Sequence, residues 1–360
     1  MQKNNVLLVT LIPSPYIVTT CNEFAKNFQG QFTVLYCLEA LFMKWKLTMN
    51  HDFIVLNARY FKFLNLRILV NFKIFYFLYK LKPNVIIVCG FQLPMLFCIF
   101  YCLLFRKKLC IMSDTWRLKE LSLGYFHILI RKIVYPRASC FFPVSIKGME
   151  TFLSYGVKKS KIFIVPYVIK SPFYFNNLTP TFEQRKYHIM FSGQFITRKS
   201  PIFFLQIAVD LNKLIPNLNI LILGSGPLKD EILEYGRLNC LNISYPGFVQ
   251  PDKISSYYSQ AKVFLFPTLE DSWGVVANEA IASGTPVIVS PNAGAANELI
   301  IHNENGFILP LVRDLWVEKC MYLLSDSHIY SEFQRNCITI SNKFTPEIAS
   351  NNLIEGIESV

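Results

Sequence analysis

Two acidic positions eight residues apart stand at a strand-to-helix turn in PTLEDSWGVVANEAIASGTPVIVS, residues 267–290. Asp271, with Glu270 beside it, falls in an acidic, Gly-containing loop, and Glu279 falls about two turns down the helix that follows. A carboxylate accepts two hydrogen bonds at once and so binds vicinal hydroxyls well. This spacing lets one acid hold sugar hydroxyls and the other a ribose diol. The amides of Ser272, Trp273, Gly274 and Val275 lie between them, at a helix start that favours a diphosphate. The plainer reading is an acid that complements a helix dipole, followed by an ordinary helical Glu.

A second group is SGQFITRKSP, residues 192–201, directly after a strand and opening a helix. Gly193 permits a tight turn and Gln194 follows it. Arg198 and Lys199 sit just before the helix begins, where paired cations suit a diphosphate. A solvated basic loop is the alternative. In LGSGP, residues 223–227, Gly224 and Gly226 permit close backbone approach to a phosphate or nucleoside, or simply form a Gly turn. The GxGxxG spacing of a dinucleotide site is missing. Asp114, after the run LCIM, is placed to orient or deprotonate an acceptor hydroxyl, or else to cap a helix starting in WRLKE. His127, His188 and His302 have no partner spacing and read as structural.

These residues need strands and helices to hold them. The runs 5–10, 32–37, 85–90, 109–112, 140–145 and 161–166 are continuous apolar stretches, as expected of parallel strands buried on both faces. The pattern restarts after a proline-containing, non-periodic stretch, with strands at 188–193, 219–226, 243–247, 263–267 and 286–290. Helical stretches lie at 16–28, 201–214, 252–260 and 275–283. The fold class is α/β: two Rossmann-like, doubly wound parallel-sheet domains facing a central cleft, with ligands at the carboxyl ends of the strands. The expected boundaries are an N-terminal domain over 1–170, a linker over 171–187, a second domain over 188–345, and a C-terminal helix over 346–360 that packs back on the first domain.

The 360 residues suit two such domains, and 52% hydrophobic against 17% charged residues excludes disorder. Ten cysteines lie mostly in apolar runs, with no CxxC pair and no zinc spacing, as expected of buried thiols in a reducing compartment. No cleavable signal is read, because the apolar run from Val6 ends at Pro13.

The order of motifs resembles family-four retaining glycosyltransferases of the GT-B fold. The resemblance rests on GQ…RK, GSGP, YPGFVQPDKISSYYSQAKVFLFP, LEDSWGVVANEA, SGTPVI and NAGAANELIIHNENGFILP, covering 188–310 closely. It continues loosely to IPSPYIVTTCNEFAK at 12–26, and SDTW at 113–116 looks like an acceptor-side loop. The resemblance implies that Asp271 contacts the donor hexose, Glu279 the ribose, and Arg198 and Lys199 the diphosphate. There are departures: Asp271 stands where a Glu is usual, Gln194 where many members have Arg, and PSPY replaces a Gly-Gly loop. The implied reaction breaks the bond from sugar C1 to diphosphate through an oxocarbenium-like state. It retains anomeric configuration, with no dedicated nucleophile. No DxD motif is present, in keeping with a metal-free site, and no cofactor is implied beyond the nucleotide-sugar substrate.

Charge suggests where the acceptor lies. Residues 1–170 carry 23 Lys and Arg against 6 Asp and Glu, a net +17, and residues 171–360 carry 13 against 18, a net −5. In FKFLNLRILVNFKIFYFLYKLK, residues 61–82, basic residues alternate with aromatics, as on a surface at lipid headgroup level or on an amphipathic helix with core aromatics. Leu93 to Phe105 is too short to span a bilayer and reads as a buried core helix or a shallow membrane-inserting one. The expectation is a cytoplasmic enzyme, peripheral on the inner membrane face, with a lipid-linked or glycan acceptor in bacterial cell-surface polysaccharide synthesis. Two rivals remain. A non-hydrolysing sugar-nucleotide epimerase leaves the basic half without purpose. A nucleic-acid-binding protein leaves the acidic motif unexplained, and no nucleic acid partner is expected.

Overall fold

A computed structural model describes residues 4–39, 45–63, 66–116, 120, 124–169 and 179–360. The chain divides into two compact units, Met1–Val168 with Pro346–Val360, and Ile169–Thr345.

In the first unit, β1 (Asn5–Thr10), α1 (Pro15–Asn27), β2 (Gln31–Tyr36) and β3 (Asp52–Val55) come first. An antiparallel hairpin of β4 (Arg59–Phe63) and β5 (Leu66–Val70) follows, outside the main sheet. Then come α2 (Lys73–Leu81), β6 (Val85–Cys89), α3 (Leu93–Leu104), β7 (Lys108–Ser113), α4 (Tyr125–Val134), β8 (Cys140–Pro143) and α5 (Ile146–Ser154). The main sheet is parallel, in the order β3-β2-β1-β6-β7-β8. Alternate β1 residues serve two cores: Leu7 and Val9 face one, Val6 and Leu8 the other, all buried. That is why these strands read as unbroken apolar runs.

In the second unit the order is β9 (Tyr187–Gln194), α6 (Pro201–Leu214), β10 (Asn219–Ser225), α7 (Lys229–Leu238), β11 (Asn242–Gly247), α8 (Pro251–Tyr258), β12 (Ala261–Phe266), α9 (Val275–Ala282), β13 (Val287–Val289), β14 (Gly306–Ile308), α10 (Arg313–Ser325) and α11 (Ser327–Ser341). Its sheet is parallel, β11-β10-β9-β12-β13-β14. Both sheets therefore follow the doubly wound order 3-2-1-4-5-6, in which successive crossovers leave the first strand in opposite directions. The last helix, α12 (Pro346–Glu358), belongs to the first unit. Its Ala349, Leu353 and Ile357 are buried in the core that holds Ile17 and Phe24 of α1.

Several expectations change. The run at 161–166 is not a strand: after a turn at Lys159–Lys161 it makes one bridge, Ile162 to Phe141, because only Phe163 and Val165 donate back to β8. Residues 61–82 do not form one amphipathic helix, since the chain reverses in the β4–β5 hairpin before α2. Positions 64–65 lie outside the described residues, as do 171–178 of the expected linker. Helix α3 is a half-buried helix, with Met95, Cys98 and Cys102 inward and Phe100 and Leu104 exposed. All ten cysteines are free. Burial pushes the Cys37, Cys89 and Cys102 thiols up to about 12, which leaves them protonated and unreactive near neutrality. Among the described residues no helix is long and apolar enough to cross a membrane.

Candidate active site at the strand ends of the second unit

The crossovers diverge between β9 and β12, so the loops leaving these two strands border the same edge of the sheet. The β9 loop carries the short turn Thr197–Lys199. Ser200 then adopts a left-handed conformation, φ +50°, and α6 starts on Pro201, whose fixed φ and missing N–H suit a first helical position. The β12 loop runs from Pro267 to Gly274, which has φ +102° and caps α9.

The two loops are joined. The Leu269 N–H donates to the Arg198 carbonyl at 2.8 Å. Arg198 Nη1 donates to the Glu270 carbonyl, and Lys199 Nζ is bonded to Asp271 Oδ2. The Trp273 N–H donates to the other Asp271 oxygen at 3.3 Å. The structure thus brings together the predicted cations and the predicted first acid, 72 residues apart in the chain. Neither cation is idle, since each holds the acidic loop. Burial lowers the Lys199 pKa, and the Asp271 carboxylate beside it acts in the opposite direction.

The loop after β13 closes the third side. The Asp271 N–H donates to the Asn292 carbonyl at 3.1 Å, and the Gly294 and Ala295 N–H groups donate to the Asp271 and Trp273 carbonyls at 2.9 and 2.8 Å. A Cβ on Gly294 would run into the Ser272 carbonyl, so only glycine fits.

Other predicted residues have different surroundings from those expected. Gly193 is open where a Cβ would point, and Gln194 beside it is exposed. A Cβ on Gly224 (φ +125°) would meet the Gly193 carbonyl, and one on Gly226 the Phe195 backbone. These two glycines therefore serve the close approach of the β9 and β10 ends. The Trp273 side chain is buried. It donates to Asn278 Oδ1 at 2.7 Å and packs on Phe344, which leaves only its backbone at the site. Ser272 and Val275 are half-buried at the mouth of the turn.

Glu279 is not a loosely held residue on an open face. It is half-buried, burial pushes its carboxyl up to about 7, and the nearby Tyr258 at the end of α8 acts against that rise. Sequence reasoning missed Tyr258, which acts on Glu279 from the preceding helix, α8. It also missed Arg185. This buried guanidinium donates to the Ala261, Ser283 and Gly284 carbonyls at 2.6–3.0 Å and to Thr285 Oγ1 at 2.7 Å, tying β12 to the carboxyl end of α9.

Asp114 belongs to the first unit, half-buried just past the end of β7. The Thr115 N–H donates to Ser113 Oγ at 3.1 Å, and of the helix expected in WRLKE, 116–120, residues 117–119 lie outside the described residues. His188 Nδ1 accepts from the Asn219 N–H and His302 Nδ1 from the Ile308 N–H, both structural roles.

Comparison with known proteins matches residues 179–343 to the family model of glycosyl transferases group 1. A D-inositol 3-phosphate glycosyltransferase of Paenarthrobacter aurescens is 32% identical over 130 residues, 34% of this chain and 31% of that protein. An uncharacterized glycosyltransferase of Methanocaldococcus jannaschii is 38% identical over 92 residues, 25% of this chain. The chain spans between about a quarter and a third of these relatives' own lengths. Among solved structures, Anabaena HepE in complex with UDP and glucose has a TM-score of 0.77 at 14% identity, covering 99% of this chain and all of that one. That likeness is one of fold, the GT-B class with two Rossmann-like parallel-sheet domains. Residues 179–343, a little under half of the chain, are thus similar to the glycosyl transferases group 1 family.

Proposed function

We propose that this protein is a retaining, metal-independent glycosyltransferase of family four. It moves a sugar from a nucleotide-sugar to a lipid-linked or polysaccharide acceptor at the cytoplasmic face of the membrane, in bacterial cell-surface polysaccharide synthesis. The observation that carries this reading is the meeting of Arg198, Lys199 and Asp271 where the crossovers diverge, with the start of α9 beside them.

A diphosphate entering there competes with Asp271 for Lys199 and with the Glu270 carbonyl for Arg198. Once Lys199 turns to phosphate, the Asp271 carboxylate is released to accept from hexose hydroxyls. Glu279 accepts from the ribose diol. As the bond from C1 to the β-phosphate oxygen breaks, negative charge grows on the leaving phosphate. Two cations and the α9 amides, already oriented, stabilise it. The acceptor oxygen bonds to C1 on the face the phosphate left, which retains the configuration. The acceptor's proton passes to the departing phosphate.

The test is a panel of UDP- and GDP-sugars, with and without EDTA, and NMR of the anomeric proton in the product. One donor is expected to release its nucleoside diphosphate, with configuration retained and EDTA without effect. An epimerised nucleotide-sugar, an inverted product, or full EDTA inhibition rescued by magnesium or manganese would overturn the reading.

A further inference from the structure

Between Phe53 and Ser113 the sequence carries nine Lys and Arg and no Asp or Glu. The two helices in this stretch, α2 and α3, each show two apolar faces. Ile74 and Leu78 of α2, and Met95, Cys98 and Cys102 of α3, are buried beneath. On the outside of α2, Phe72, Phe75, Tyr76 and Tyr79 follow the i, i+3, i+4, i+7 spacing of one helical stripe and are 41–75% exposed. On the outside of α3, Phe100, Leu103, Leu104 and Phe105 are 42–60% exposed.

The two stripes are continuous. Phe97 of α3 stacks on Phe72 at a ring-centroid distance of 5.7 Å and packs at a tilt against Phe75 at 4.9 Å. Phe100 and Leu104 continue the same α3 stripe one and two turns further on. Cations border it. Lys73, Lys80 and Lys82 are exposed on and just after α2. At the end of α3, Arg106 adopts φ +51°, turning the chain so that Arg106, Lys107 and Lys108 follow directly on Phe105.

A second copy meeting this face by two-fold symmetry would set like charges against each other. A bilayer of anionic lipid satisfies both features at once: apolar rings enter the headgroup boundary and cations meet phosphate. We propose that the outer face of α2 and α3 docks the protein on an anionic membrane surface, with Phe100, Leu104 and Phe105 inserting and Lys73, Lys80 and Arg106 pairing with lipid phosphates. The docking rests on the proposed membrane-face acceptor and is independent of the donor site.

Two variants separate its parts: Phe100→Ser/Leu104→Ser/Phe105→Ser, and Lys73→Gln/Lys80→Gln/Arg106→Gln. Each is measured with the wild type by sedimentation with phosphatidylcholine vesicles, with and without 30% phosphatidylglycerol. Circular dichroism and nucleotide binding are followed alongside. Wild type should sediment with the anionic vesicles only, and less as salt rises. At about fivefold per cation, the charge variant should partition about a hundredfold more weakly. The apolar variant should also lose binding, with nucleotide affinity unchanged in both. Wild type that ignores anionic vesicles, or native-like variants that bind as well as wild type, would overturn the proposal. So would light scattering that finds a dimer for wild type and a monomer for the apolar variant. Vesicle binding and nucleotide binding are read separately, so a failed donor site and a failed docking face give different results.

Discussion

Lys199 on the β9 loop is bonded to Asp271 on the β12 loop, and the same acid accepts from the Trp273 N–H at the start of α9. One carboxylate thus joins the cation site to the helix that carries Glu279. Both side chains are largely shielded, so the pair is screened less by salt than an exposed one would be.

Lys199→Ala should lower kcat by about 10²–10³, a larger effect than on donor binding, because charge on the leaving phosphate grows toward the transition state. The check is steady-state kinetics with separate donor titration. A change confined to KM would place Lys199 in ground-state binding only.

Glu279 titrates near 7 in the free protein because burial disfavours its charged form. The ribose hydroxyls need the carboxylate, so donor affinity should rise with pH up to about 7 and level off above, with a slope of at most about tenfold per pH unit. Glu279→Gln should flatten the profile. A profile of the same shape in wild type and variant would remove Glu279 from the donor site.

His51 gives a stability test in the first unit. It is buried, with Nε2 3.0 Å from the Tyr36 hydroxyl and Nδ1 2.6 Å from Asn22 Oδ1. Burial lowers its pKa from 6.5 to about 4, against the opposing effect of Asp52. A depressed value means that the neutral ring favours the folded state. That stability is complete above pH 6.5 and is lost as pH falls toward 4, about 3 kcal/mol in all. Urea unfolding across this range should show the loss in wild type and a shallower slope in His51→Gln. Equal slopes would contradict it.

Arg185→Leu should destabilise the chain by about 2–4 kcal/mol, because it strands buried carbonyls of β12 and of the turn after α9. Thermal unfolding of wild type and variant measures this. A loss under about 0.5 kcal/mol would mean that water or another donor replaces the guanidinium.

The parallel strands are legible because burial on both faces leaves an unbroken apolar run, as in β1, β6 and β10. The hairpin β4–β5 was not: it joins no main sheet, and RYFKF mixes cations with rings. The three-residue β14 is too short for any pattern. At the site, residue types pointed to Arg198, Lys199, Asp271 and Glu279. Their mutual bonds depend on β12 crossing back beside β9, which local spacing does not encode. Arg185 was hidden for a different reason: its partners are mostly carbonyls, and every residue has one.

The most direct test of the account is calorimetric titration of the preferred nucleoside diphosphate, above pH 7, into wild type and Glu279→Ala, with melting temperatures recorded for both. Loss of a charged hydrogen-bond pair to the ribose costs about 1.5–3 kcal/mol, so the variant should bind about 10–100-fold more weakly while melting close to wild type. Equal affinity in the two proteins would contradict a nucleotide held between Glu279 and the Arg198–Lys199 loop.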